Sequence, residues 1–306
     1  MTDQSLLEYQ RRRYGMDHDR YEWSMLQDRD PVLWPDDKPL ALWINVSVQH
    51  FPLSGHKPAV APPGALTMPY PDLRHYTLRD YGNRIGVFRL LEALEQHDAA
   101  FSLAISGALS ERYPRLLERL SETSAEWLGH GWDMNAMHAG NVEEAVELQW
   151  ISDTLTALSE FKGQAISGWF SPGRIQTART PELLCDAGIQ FHCDWVNDEL
   201  PYAFKTESGD MVCLPSSLEL DDVFLINQNF HSEDSYAEQI IDAADFLIAE
   251  GERQGGRLLS LNFHPWLLGQ PHRIATVRHI LQELLVARAG KIWNAQPSDI
   301  IEQAMG

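Results

Sequence analysis

The chain has 306 residues, 44% of them hydrophobic and 22% charged, which suits one large α/β domain or two ordinary ones. Acidic residues outnumber basic ones 44 to 24, a formal net charge of −20, and such a surface repels phosphate backbones and anionic lipid, which excludes nucleic-acid and membrane partners. Three cysteines without a CxxC spacing read as buried thiols in a reducing compartment; with no secretory signal and no apolar run of ~20 residues, a cytoplasmic protein is expected.

Residues 1–38 are polar and rich in Arg, Asp and Tyr, and read as an N-terminal arm that packs on the domain or on a neighbouring subunit. Residues 39–306 then form a single domain. Its first strand is 40–48, nearly continuous in apolar and β-branched residues, as a strand covered on both faces should be. It ends in Gln49 and His50. A Pro-rich loop is expected over 51–83, and from Arg84 the apolar period becomes helical as far as His97. A buried strand at 100–105, a helix around 112–120 and a short strand at 126–129 follow, the last ending in His130. Asn141, with Glu144 three residues on, is expected to cap a helix running to Phe161. The fourth strand, 164–170, is stopped by Ser171-Pro172-Gly173; a helix opens at Thr180-Pro181 and closes at Gly188.

The fifth strand, 189–193, ends in Asp194 and Trp195, and 211–214 reads as a sixth. Ser232 or Ser235 caps a helix running to Gln254. The seventh strand, 258–263, is halted by Pro265 just after His264, because proline offers no N–H to a ladder. A helix over 274–287 and a short strand at 291–293 complete the pattern. Strands alternating with helices imply βαβ units and a parallel sheet, and about seven repeats imply a closed or nearly closed barrel.

Polar groups stand at the carboxyl ends of several strands: Gln49 and His50, His130, Asp194 and His264. In α/β barrels that rim is where ligands bind, so these groups are expected to converge on one hollow. Histidine titrates near neutral pH and can take or give the proton that amide hydrolysis requires. His264 is expected as general acid, with His130 or His50 as base. Gln49, an uncharged donor and acceptor, is expected to hold the substrate. Trp132, Trp169 and Trp195 are candidate pocket walls, with Asp194 beside them. Glu219, Asp221 and Asp222 follow the sixth strand, and one of them, with Glu219 as the candidate, is expected at the substrate.

Several stretches resemble the polysaccharide-deacetylase (NodB-type) superfamily, in the branch that holds the bacterial metal-independent allantoinase. They are DYGNRIGVFRLLEAL at 80–94, GHG at 129–131, GWFSPG at 168–173, CDWVNDELPY at 193–202 and HPWLLGQPHRI at 264–274. The resemblance covers roughly residues 38–295 and implies a distorted (β/α) barrel of about seven repeats with its active site at the carboxyl rim. It also exposes departures. Gln49 and His50 stand where the family's metal-dependent members carry two aspartates, and Met134 stands where the second histidine of a pair should be. Thioether is a poor ligand for hard or borderline cations. No cofactor is therefore required, and zinc remains the alternative, held by His50, His130 and Asp133, with His138 as another third ligand. The leading expectation is a hydrolase of carbon–nitrogen bonds in small cyclic amides such as ureides or imides. The alternatives are a metal-dependent N-deacetylase of amino sugars and an inactive barrel that binds a small ligand. The partner is a small-molecule substrate, and a homo-oligomer, dimer or tetramer, is expected.

Overall fold

Strand β1 (Leu40–Val48) is the axis of the sheet, and it is buried along its whole length. A computed structural model describes residues 16–53, 72–140 and 142–306. On one edge β1 pairs in parallel with β8 (Arg257–Phe263) from Leu40 to Val46. On the other it pairs first with β9 (Ile292–Asn294) and then, from Asn45, with β2 (Ser102–Ile105). The parallel path continues through β3 (Glu126–Gly129), β4 (Gly168–Trp169), β5 (Phe191–His192) and β7 (Asp210–Cys213), and β6 (Tyr202–Lys205) adds an antiparallel edge. No pairing joins β6 back to β8 among the described residues, so the sheet curls as a distorted, open (β/α) barrel.

The strands fall where the apolar runs predicted them, except that β4 pairs only over Gly168–Trp169 of the expected 164–170, and there are three further local differences. The expected loop at 51–83 holds a helix, Leu73–Tyr81, whose N-terminus is capped by Asp72: its Oδ1 accepts the amides of Arg74 and His75, both at 3.1 Å. Strand β6 was hidden in the expected loop through Pro201, because a four-residue edge strand carries almost no period. A last helix, Pro297–Met305, follows β9. The expected Asn141 cap lies outside the described residues, and the helix there spans Glu144–Lys162. Ser232 does cap Glu233–Gln254, its side chain accepting the Ser235 amide.

Of the arm, residues 16–38 lie on the domain. Trp34 is buried and donates its indole N–H to the Arg257 carbonyl at 2.8 Å, Arg29 pairs with Asp198, and Arg20 pairs with the buried Glu182. Among the described residues no helix is long and apolar enough to cross a membrane.

Candidate active site

Side chains alternate across a strand, so parity decides which residues reach the barrel interior. On β1, Leu40, Leu42, Ile44, Val46 and Val48 pack outward with the helices. Ala41 and Trp43 face inward, and Asn45, Ser47 and Gln49 continue that face towards the carboxyl end. On β8, Leu258 faces inward while Leu259, Leu261 and Phe263 face outward, which puts Ser260, Asn262 and His264 in the inward phase. On β3, Trp127 packs outward and Leu128 inward, and His130 follows Leu128 by two.

The interior is thus apolar at its floor and polar at its mouth. Ser102 Oγ accepts the Trp43 indole N–H and donates to Asn45 Oδ1, and Asn45 Nδ2 donates to Asn262 Oδ1, each at 2.8 Å. Ser47 Oγ donates to the same Asn262 oxygen at 2.8 Å, and Asn262 Nδ2 donates to Asp221 Oδ2 at 2.9 Å. Every link has a partner, and such a network holds its members in one arrangement.

Above it lies a cavity of about 220 Å³ whose lining includes Gln49, His130, Ser171, Arg174, Asp221 and His264. His264 is held by Asp222, which reaches it twice. The ring Nδ1–H donates to Oδ1 at 2.6 Å and the backbone N–H to Oδ2 at 2.7 Å. Burial disfavours the imidazolium, but the charge and hydrogen bond of Asp222, with the charge of Asp221, outweigh it and raise the His264 pKa above the ordinary value. His130 is in the opposite state. Burial lowers its pKa to about 3, its Nδ1–H donates to the Phe170 carbonyl at 2.5 Å, and its Nε2 lies 3.1 Å from Gln49 Nε2. It is a neutral ring whose one lone pair accepts from Gln49.

Arg174 brings a cation to the same cavity. Its Nη2 donates to Asp221 Oδ2 and Ser216 Oγ at 3.2 and 3.3 Å, and its Nε–H has no partner among the described residues. Ser171 is fixed by Asp194, which accepts the Ser171 amide at 2.7 Å and its hydroxyl at 2.8 Å. Burial pushes the Asp194 pKa up to about 6 despite those hydrogen bonds.

Of the residues expected to converge, the structure brings His264, His130 and Gln49 to one cavity. His50 has the outward parity of Val48 and lines a separate cavity together with Trp132 and Asp133. Asp194 does not line this cavity; it is consumed in holding Ser171. Trp169 is fully buried with its indole N–H on Ser171 Oγ, and Trp195 packs edge-on against Phe204 and donates to Gln176. Glu219 lines a third hollow, with Phe246 and Leu247. The acidic run 219–222 does serve the site, through Asp221 and Asp222. Arg174 went unpredicted; the only signal in the sequence was its place after the turn residues Pro172-Gly173, where the structure gives it a positive φ of 56°.

For zinc, the expected trio does not assemble: His50 lies on the other cavity and both ring nitrogens of His130 are engaged. Asp133 Oδ1 accepts the amides of Asn135 and Ala136 at 2.8 and 2.9 Å. A different group, Asp221, Asp222 and His264, has ligand atoms within 4.8 Å of one another. All four of its carboxylate oxygens already accept N–H groups, from Val223, Asn262 and Arg174 on Asp221 and from His264 on Asp222. A guanidinium at 3.2 Å also opposes a second cation. Asp221, Asp222 and His264 are thus the residues that would hold a divalent metal, and it would share their oxygens with these hydrogen bonds and face the Arg174 guanidinium.

No family model matches the chain. A Schizosaccharomyces pombe protein provisionally named a polysaccharide deacetylase is 22% identical over 299 residues, covering 88% of this chain and 91% of that one. A solved structure from Pseudomonas aeruginosa PAO1, also provisionally named a polysaccharide deacetylase, superposes with a TM-score of 0.79 at 22% identity, over 90% of this chain and 94% of that chain. The Puue allantoinase superposes equally well, with a TM-score of 0.79, 22% identity and the same coverage.

Proposed function

For a chain that has the fold of the polysaccharide-deacetylase (NodB-type) superfamily, shared with an allantoinase, we propose hydrolysis of a non-peptide carbon–nitrogen bond in a small cyclic amide such as a ureide or imide. The observation that carries this reading is the 2.6 Å bond between Asp222 and His264, which leaves the far ring nitrogen, Nε2, for the cavity. With Nδ1 protonated towards Asp222, the neutral ring presents an Nε2 lone pair. It takes a proton from water as the water oxygen attacks the carbonyl carbon, and Asp222 stabilises the imidazolium so formed. The oxyanion develops beside the Arg174 guanidinium. The tetrahedral intermediate then collapses: its C–N bond breaks, and the proton on Nε2 passes to the departing nitrogen. One histidine serves first as base and then as acid.

His130 takes no proton in this scheme. A ring with a pKa near 3 is a weak base, and its lone pair is spent on Gln49. It holds the Gln49 amide, whose other N–H and carbonyl are free to orient the substrate amide. The cavity volume of about 220 Å³ has room for a single small ring.

The relatives named as deacetylases favour a second substrate, a small N-acetyl amino sugar whose acetamide the same residues would cleave. A hydrolysis screen of cyclic ureides, imides and N-acetyl amino sugars, with and without chelator and alongside metal analysis, separates the readings. The expected result is turnover of a cyclic amide that survives chelation, falling about 10²–10⁴-fold in His264→Ala. Stoichiometric zinc with activity lost on chelation would establish the metal-dependent deacetylase instead. Ligand binding without turnover across the panel would leave a binding protein.

A further inference from the structure

Gln49 and His50 are neighbours in sequence that strand alternation sends opposite ways. Gln49 faces the catalytic cavity, while His50 faces one of about 480 Å³ that shares none of the lining residues described for the first. Backbone bonds on either side hold this division. The Gln49 carbonyl accepts from Asn83 Nδ2 at 2.8 Å and the His50 carbonyl accepts the Met134 amide at 2.9 Å.

The second cavity is walled by four aromatic residues, Tyr76, Tyr113, Trp132 and Trp150, and carries four further polar side chains, His50, Arg112, Asp133 and Asn135. His50 is only 7% exposed, and its ring nitrogens have no hydrogen-bond partner among the described residues. Burial lowers its pKa, so at neutral pH it offers one donor and one acceptor. Arg112 has no acidic partner among the described residues, in a chain whose net charge is −20. Asp133 uses Oδ1 for its own turn, which leaves Oδ2.

We propose that this cavity is a second, non-catalytic binding site for a small ring compound carrying a carboxylate at one end and hydroxyl or N–H donors at the other. Arg112 recognises the carboxylate, the indole and phenol faces take the ring, and His50 with Asp133 Oδ2 takes the donors. The site does not depend on the reaction assigned to His264.

The test is calorimetric titration of the full chain with D-glucuronate and with orotate, two ring acids that carry donors. D-glucose, which lacks the carboxylate, and benzoate, which lacks the donors, are the controls. At least one acid is expected to bind at least about tenfold more tightly than either control, as loss of one charge-assisted bond implies. Arg112→Gln, a change at an exposed side chain, and Trp132→Ala should each weaken that binding by at least about tenfold, whereas His264→Gln should leave it unchanged. Thermal melts of the variants confirm that they fold. The proposal is overturned if neither acid binds up to its solubility limit. It is equally overturned if binding vanishes in His264→Gln and survives in Arg112→Gln, which would put the ligand in the catalytic cavity.

Discussion

Replacing Asp222 by Asn keeps the shape of the His264 support and reverses its hydrogen-bond logic. In the native protein both Asp222 oxygens accept, one from the His264 backbone N–H at 2.7 Å and one from the ring Nδ1–H at 2.6 Å. An asparagine has one acceptor and one donor. The backbone N–H cannot change sign, so the amide oxygen must face it and the NH₂ must face Nδ1. The ring then becomes an acceptor at Nδ1 and carries its proton on Nε2, pointing into the cavity, with no lone pair for water. Loss of a charge-assisted bond to a buried partner is worth about 1.5–3 kcal/mol, and loss of the carboxylate removes the charge and hydrogen bond that raise the His264 pKa, so burial then lowers it. Turnover should fall about 10²–10⁴-fold with little change in substrate affinity. Nitrogen-15 NMR of the histidine rings tests this before any substrate is known. The native ring should show a protonated Nδ1 and titrate above the ordinary histidine range; the variant should show a protonated Nε2 and titrate well below the native. An unchanged tautomer, or an unchanged pKa, would refute the assigned role of Asp222.

Three further outcomes follow from other residues. Arg174→Met should lower kcat with a smaller effect on KM, because the guanidinium is assigned to charge that develops only in the transition state; a pure KM effect would make it a binding residue. His192 is fully buried, packs 4.6 Å from Phe204, has neither ring nitrogen partnered among the described residues, and is held neutral by burial at a pKa of about 3. A depressed folded pKa means its contribution is intact above the unfolded value near 6.5 and is lost as pH falls towards 3, at about 1.4 kcal/mol per unit. His192→Leu should therefore make urea stability less steeply pH-dependent, gaining on the order of 2–3 kcal/mol over the native chain at pH 4.5 relative to pH 7.5; parallel pH profiles would contradict it. A Cβ on Gly86 would lie 2.0 Å from the Pro265 carbonyl oxygen, so Gly86→Ala should cost about 1–3 kcal/mol or more in urea unfolding and displace the segment that follows His264.

Much of the barrel was legible because local physics repeats along the chain. The run at 40–48 is β1 to the residue, and 126–129 is β3, since a strand covered on both faces is built mostly from apolar residues. The same runs hid β6, which lies at the sheet edge with only one fully buried residue, Phe204. His264 and His130 were legible as strand-end histidines for the same reason as their strands. The error at His50 was one of parity. Counting by two from Trp43 places Gln49 inside the barrel and His50 outside it, so the residue-by-residue alternation already contained the distinction.

By itself, then, the sequence determined where strands begin and end, which residues share a strand face, and that several polar groups stand on one rim. Tertiary structure alone decided which carboxylate in the run 219–222 meets His264, that Arg174 folds back over the rim, and that Asp194 and Trp169 are spent on Ser171. The physical reason is range. Strand propensity and alternation act between neighbours in the chain, whereas the Asp222–His264 and Arg174–Asp221 contacts join loops more than forty residues apart, whose meeting depends on how far the whole sheet curls.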